Sequence, residues 1–148
     1  MAIRVSIIDD HPLATTGIAN MLKEFKDIEI TKIYHTASAL LEHIPANLPE
    51  VLLMDIMLKE YSGKDLAPQL KKEYPDLKII ALTSLDAPAS VSGMMRRGCS
   101  GYLLKDTDQY TLHNAILAVH NGEEFIEPSL KETMVQNLFN FSKNTSND

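Results

Sequence analysis

Short apolar runs alternate along the chain with longer stretches of helical period. Ile3-Arg4-Val5-Ser6-Ile7-Ile8, Val51-Leu52-Leu53-Met54 and Lys78-Ile79-Ile80-Ala81-Leu82 are rich in Ile, Val and Leu, as strands covered on both faces should be. The pattern predicts strands near 3–8, 28–34, 51–55, 78–82 and 101–104. Strands separated by helices indicate an α/β domain with a parallel sheet. The first helix is predicted to begin around Pro12, a residue tolerated in a first turn, with Leu13, Gly17, Met21 and Phe25 in line. A second covers 36–45, with Thr36 or Ser38 as its cap, and a third spans Gly63 to Tyr74 before Pro75 stops it. The last of the set runs from Thr107 to His120 and is terminated by Asn121-Gly122.

The fourth helix, between Ala87 and Arg97, is the weakest. Pro88, Ser90, Val91, Ser92 and Gly93 are poor helix formers, and an interior Gly alone costs about 1 kcal/mol relative to Ala. It reads as a short surface helix held by packing through Val91, Met94 and Met95. Its place directly after Thr83 also suits an element left marginal so that it can shift. Past Gly122 the pattern changes. Pro128 opens a further predicted helix with Leu130, Met134, Leu138 and Phe141 on one stripe, and Ser142 to Asp148 is polar.

Composition narrows the function classes. The chain has 148 residues, 45% hydrophobic and 23% charged, with a net charge of -6. That acidity argues against this stretch gripping nucleic acid through a basic surface. Cys99 is the single cysteine, so no internal disulfide can form and a reducing compartment is expected. No apolar run approaches the roughly 20 residues of a membrane span. Met1-Ala2-Ile3-Arg4 enters a strand without signal-peptide regions. The expected location is cytoplasmic.

Candidate chemistry gathers at the ends of the apolar runs. Asp9 and Asp10 close the first, Asp55 the third and Thr83 the fourth, while Lys105 follows Tyr102-Leu103-Leu104. In an open parallel sheet, ligands bind outside the carboxyl ends of the strands, so these groups converge. Paired carboxylates plus a third form a hard oxygen site suited to Mg²⁺. A carboxylate beside the metal can attack phosphorus, with Lys105 and the Thr83 hydroxyl to hold phosphoryl oxygens. Singly, an Asp at a strand end often only caps the next helix. Their joint occurrence is what capping explains poorly.

Asp9-Asp10-His11-Pro12-Leu13, Leu53-Met54-Asp55-Ile56 with Gly63 downstream, and Gly101-Tyr102-Leu103-Leu104-Lys105-Asp106 resemble the receiver domain of bacterial two-component response regulators of the NarL/LuxR-type class. The resemblance covers roughly residues 2–122. It implies a doubly wound five-stranded parallel sheet, flavodoxin-like, with residues 1–122 as the phosphoacceptor domain. Residues 123–148 would then be a linker helix and polar tail. By the same resemblance Asp55 accepts phosphate from a sensor histidine kinase. Asp10 binds Mg²⁺ directly, Asp9 through water or directly, and the Met57 carbonyl completes the protein ligands. Thr83 and Lys105 contact the phosphoryl group, and Tyr102 is the switch aromatic, its ring moving inward when Thr83 shifts. The α4-β5-α5 face is the implied signalling surface, a homodimer is possible, and any contact with DNA would run through a C-terminal helix-turn-helix domain. The 26 residues after Gly122 are too few for such a module. An excised receiver from a transcription regulator is therefore expected, with a stand-alone receiver acting by protein contacts or in a phosphorelay as the alternative.

The chain departs from the family pattern at Leu58-Lys59, where Met-Pro is common. That frees the loop carrying Met57. Met57 and Leu85, two residues after Asp55 and Thr83, are apolar and cannot orient an attacking water, which implies a long-lived phospho-form. An aspartate-nucleophile phosphatase would need a second Asp two residues after the nucleophile, where Met57 stands. A flavoprotein would need a phosphate-cradling loop where Asp9-Asp10-His11-Pro12 stands. His11, His35, His43, His113 and His120 are scattered without metal-ligand spacing and read as surface or helix positions, with an approach of His11, next to the acid pair, to the cation as its alternative. Cys99 reads as a buried small hydrophobe.

Overall fold

The computed structural model describes residues 2–84 and 88–132. Its strands are β1 (Ile3–Ile8), β2 (Ile28–Tyr34), β3 (Val51–Asp55), β4 (Lys78–Thr83), β5 (Gly101–Leu104) and β6 (Phe125–Ile126). The helices between them are α1 (Pro12–Leu22), α2 (Ala37–His43) with a 3₁₀ turn at Ile44–Ala46, α3 (Gly63–Glu73), α4 (Pro88–Arg96) and α5 (Gln109–His120). Among the described residues the sheet has six strands in the order β2-β1-β3-β4-β5-β6, and every pairing is parallel. The sequence pattern predicts five. The sixth is two residues long, too short to show any periodicity, and pairs Gly101 with Phe125 and Tyr102 with Ile126.

Strand side chains alternate between two separate cores, as a period of two requires. Leu52, Met54, Ile79, Ala81 and Tyr102 pack with Leu40, Leu66, Leu70, Val91 and Met94. Val51, Leu53, Ile80, Leu82 and Leu103 pack with Ile18, Leu22, Leu112, Ile116 and Val119. The first core thus lies under α2, α3 and α4, and the second under α1 and α5.

Local chemistry sets the helix starts. Thr36 accepts the Ala39 N–H, Ser62 the Lys64 N–H and Asp108 the Thr111 N–H. The α1 stripe is corrected at Leu13, while Met21 and Phe25 pack at the edge of the core as expected. Its buried residues are Thr15, Ile18 and Leu22, whereas Leu13 is 89% exposed. Both sets fit a helical repeat of three to four residues, and spacing alone cannot choose between them.

The packed body runs past Gly122. The edge of β5 is covered by β6, and the buried Glu127 follows. Its backbone N–H donates to the Tyr102 carbonyl at 2.8 Å. Its carboxylate accepts from the Leu104 N–H at 3.2 Å and the Thr107 hydroxyl at 3.0 Å. Residues 128–132 are helical, and Leu130 is wholly buried in the α4 core. Met134, Leu138 and Phe141, the rest of the predicted stripe, lie outside the described residues, as does Leu85.

Candidate functional site

Three strand ends deliver the site. Asp9 follows β1 and is pinned by its own backbone, its N–H donated to the Tyr34 carbonyl at 3.0 Å and its carbonyl 3.0 Å from His35 Nδ1. Asp55 closes β3, and its Oδ1 accepts the Met57 N–H at 2.9 Å. Lys105 follows β5, with its N–H donated to the Thr83 carbonyl at 2.8 Å. These backbone ties fix where each side chain starts.

The Lys105 ammonium bridges the two buried acids. Its Nζ lies 2.8 Å from Asp9 Oδ2 and 3.0 Å from Asp55 Oδ2, and its side chain is 19% exposed. Burial pushes the Asp55 carboxyl above the usual carboxylate range. The charge of Asp9 adds to that push, and the Met57 and Lys105 hydrogen bonds offset it only in part. Burial also pushes Asp9 upward, but the Lys105 and His11 contacts together outweigh it and hold Asp9 below its ordinary value. Burial alone would lower Lys105. The two carboxylates overcome it and hold the ammonium above its ordinary pKa. The opposite directions of Asp55 and Asp9 follow from their different hydrogen-bond donors.

Asp10 joins them from the partly exposed rim. Its Oδ2 accepts the Lys59 N–H at 3.1 Å, a donor that a proline at position 59 would lack. The departure from the family pattern is therefore used in the site. Ser62 and Gly63 complete the loop after β3. The Gly63 N–H donates to the Ile56 carbonyl at 3.1 Å, and a Cβ on Gly63 would lie 2.7 Å from Ile56 Cα. Only glycine admits that approach of α3 to the strand end.

His11, an exposed residue at the start of α1, also reaches the acids. Its Nδ1 lies 3.0 Å from Asp9 Oδ1, 3.0 Å from Asp10 Oδ1 and 3.8 Å from Asp55 Oδ2. Its backbone N–H also donates to Asp9 Oδ1 at 2.9 Å. Ligand spacing in sequence could not reveal this, because the partners sit one, two and 44 residues away. The adjacency of His11 to the acid pair was the available signal.

The donor set fits a divalent cation. One atom each of Asp9, Asp10, His11 and Asp55 lies within 4.8 Å of the others. Asp9 Oδ2 and Asp10 Oδ1 are buried and accept no hydrogen bond, although Lys105 Nζ and His11 Nδ1 stand at ion-pair distance from them. Three carboxylates face one ammonium, an excess of negative charge that a divalent ion relieves.

The other expected residues are placed as follows. Thr83 is buried at the end of β4, beside β5. The Tyr102 ring is already wholly buried, and its hydroxyl donates to Ser90 Oγ of α4 at 3.0 Å. The Met57 side chain is 56% exposed. Cys99 is buried, and burial pushes its thiol up to about 12. Of the other histidines, His35 borders the pocket through the Asp9 backbone carbonyl, while His113 and His120 stand apart from it on Asp27 and Glu50. Among the described residues no helix is long and apolar enough to cross a membrane.

Comparison with known proteins agrees with this geometry. The chain is 30% identical over 134 residues to the transcriptional regulatory protein DegU of Brevibacillus brevis, covering 90% of this chain and 57% of that protein. It thus spans little more than half of that relative. The isolated REC domain of RcsB from Salmonella enterica serovar Typhimurium, solved with phosphomimetic BeF3-, superposes with a TM-score of 0.82 at 27% identity. That match covers 89% of this chain and 98% of that one. A longer Salmonella typhimurium RcsB response regulator, studied for its DNA interaction, gives a TM-score of 0.81 at 28% identity over 88% of this chain and 64% of that one. The family model for the response regulator receiver domain matches residues 5–117, from β1 through both acid-bearing strands into α5. By that match the chain belongs to the response regulator receiver domain family, a family of signalling domains.

Proposed function

We propose that Asp55 is the phosphoacceptor of this receiver, taking a phosphoryl group from a phosphohistidine of a sensor kinase. The carboxylate oxygen forms the new bond to phosphorus, the P–N bond of the donor breaks, and an acyl phosphate results. The observation that carries this reading is a buried Asp55 held between the Met57 N–H and the Lys105 ammonium. Asp9, Asp10 and Asp55, with the Met57 carbonyl, would hold Mg²⁺, which when bound neutralises phosphoryl charge. Lys105 and Thr83 hold the transferred group. Met57 offers no acid or base group to carry off the phosphate, so an autonomous phosphatase does not fit.

Phosphorylation adds about two negative charges beside Lys105. Displacement of Thr83 and Lys105 toward them acts on β5, and the Tyr102–Ser90 hydrogen bond ties that strand to α4. The α4-β5-α5 face is then remodelled as a population shift between two packings. In this reading residues 1–122 are the receiver and 123–148 lead toward an output domain. That domain would be a helix-turn-helix module through which a homodimer controls transcription in the cytoplasm. The second reading is a stand-alone receiver acting by protein contacts, and the burial of Leu130 against the α4 core favours it. The reading frame beyond Asp148 decides between them.

The test is labelling by a small phosphodonor such as acetyl phosphate. Acid-labile label that requires Mg²⁺ and is lost in Asp55→Asn is the expected result, with sedimentation before and after to detect dimers. Label retained by Asp55→Asn would overturn the assignment. Replacing Met57 with Asn and Leu85 with Glu should speed loss of the label.

A further inference from the structure

The least expected member of the pocket is a nitrogen. His11 stands at the start of α1 in an extended conformation, with Pro12 fixing the first turn behind it. It caps nothing with its side chain. Instead the backbone N–H and the ring both turn back onto Asp9 Oδ1, at 2.9 and 3.0 Å. The ring is thereby held over the acids, with its outer edge in solvent and the residue 58% exposed at the side chain.

The distances have the dimensions of a coordination shell. A six-coordinate ion with bonds of about 2.1 Å has neighbouring ligand atoms about 3.0 Å apart and opposite ones about 4.2 Å apart. His11 Nδ1 lies 3.0 Å from one oxygen each of Asp9 and Asp10 and 3.8 Å from Asp55 Oδ2. All four candidate ligand atoms fall within 4.8 Å of one another. The wholly buried Asp9 is ion-paired through Oδ2 to Lys105 at 2.8 Å and turns Oδ1 to His11, so both of its oxygens border this space.

Resting on the reading of the pocket as a cation site, we infer that His11 Nδ1 is itself a metal ligand. The site would then be a mixed nitrogen–oxygen centre that favours first-row transition ions such as Mn²⁺ and Co²⁺ over Mg²⁺. Magnesium takes oxygen ligands and gains little from an imidazole, whereas affinity for nitrogen rises along the series from Mn²⁺ to Co²⁺. His35 does not compete for this role, because its Nδ1 is engaged with the Asp9 carbonyl.

Calorimetric titration of the whole chain with Mg²⁺ and with Co²⁺, for wild type and His11→Ala, gives the first readout. His11→Ala should weaken Co²⁺ binding at least about 10-fold, the scale of losing a metal-site group, and change Mg²⁺ binding by less than about threefold. Pulsed EPR of the Mn²⁺-loaded protein gives the second, and on the wild type it needs no variant. Nitrogen hyperfine coupling should appear, should change on ¹⁵N-histidine labelling, and should vanish in His11→Ala. Bound Mn²⁺ without nitrogen coupling, or equal losses for Mg²⁺ and Co²⁺ in the variant, would overturn the inference while leaving the cation site standing. Failure of wild type to bind any of these ions would overturn the reading of the pocket itself.

Discussion

Replacing Lys105 by methionine keeps much of the side-chain length and removes the ammonium that bridges two buried acids. The charge contacts are 2.8 and 3.0 Å. At an effective dielectric of 20, they are worth about 5.9 and 5.5 kcal/mol before desolvation of the ammonium is subtracted. That penalty is several kcal/mol, and breaking a buried pair from one side costs about 3–5 kcal/mol net. For a domain of this size the loss corresponds to a fall in Tm of about 6–20 °C. The pH dependence has a definite sign. Asp9 is held below its ordinary pKa, so its contribution is present above the ordinary carboxylate range and is lost as pH falls through the lowered value. Without Lys105 that contribution goes. Both acids then move upward, and the variant loses stability as pH rises through the carboxylate range. Thermal melts in metal-free buffer should therefore show a gap between the two proteins that is small near pH 4 and wide at pH 8, and millimolar Mg²⁺ should narrow it. Melts that coincide at pH 8, or a gap that ignores pH, would refute the reasoning.

Glu127→Ala should destabilise by about 1–3 kcal/mol in urea denaturation, because the Leu104 N–H loses its acceptor, while Glu127→Gln keeps an oxygen there and should lose less. Gly63→Ala should cost about 1–3 kcal/mol through overpacking against Ile56; an unchanged urea midpoint would contradict the close approach. Lys59→Pro removes the N–H that Asp10 accepts, a loss of about 1.5–3 kcal/mol that a stiffer unfolded chain offsets by about 0.4–1 kcal/mol. A variant more stable than wild type would show that this hydrogen bond contributes less than about 1 kcal/mol.

Strands β1, β3, β4 and β5 were legible because their apolar runs are nearly continuous and end beside a polar residue. Asp9, Asp10, Asp55 and Lys105 were legible for the same reason, since parallel strands bring their carboxyl ends to one edge. What escaped depends on direction rather than spacing. Whether Leu13 or Ile18 faces inward turns on a rotation of α1 that i, i+4 counting leaves open. The His11 ring reaches the acids because an extended residue precedes Pro12, a dihedral choice with no compositional mark. The Lys59 N–H is a backbone group and has no letter of its own. Both β6 and the Glu127 contacts rest on three consecutive residues in an otherwise unpatterned stretch.

The sheet also acts as a bulkhead. Tyr102 and its α4 neighbours Val91 and Met94 belong wholly to one compartment, while Leu103, one residue on, anchors the other with Leu112 and Ile116. Repacking around Tyr102 therefore begins in the α4 compartment and reaches α5 only through β5, whose Leu103 faces the other side. A molecule partitioned in this way can spend the tolerance of one side on changing shape and still hold its acids at fixed separations.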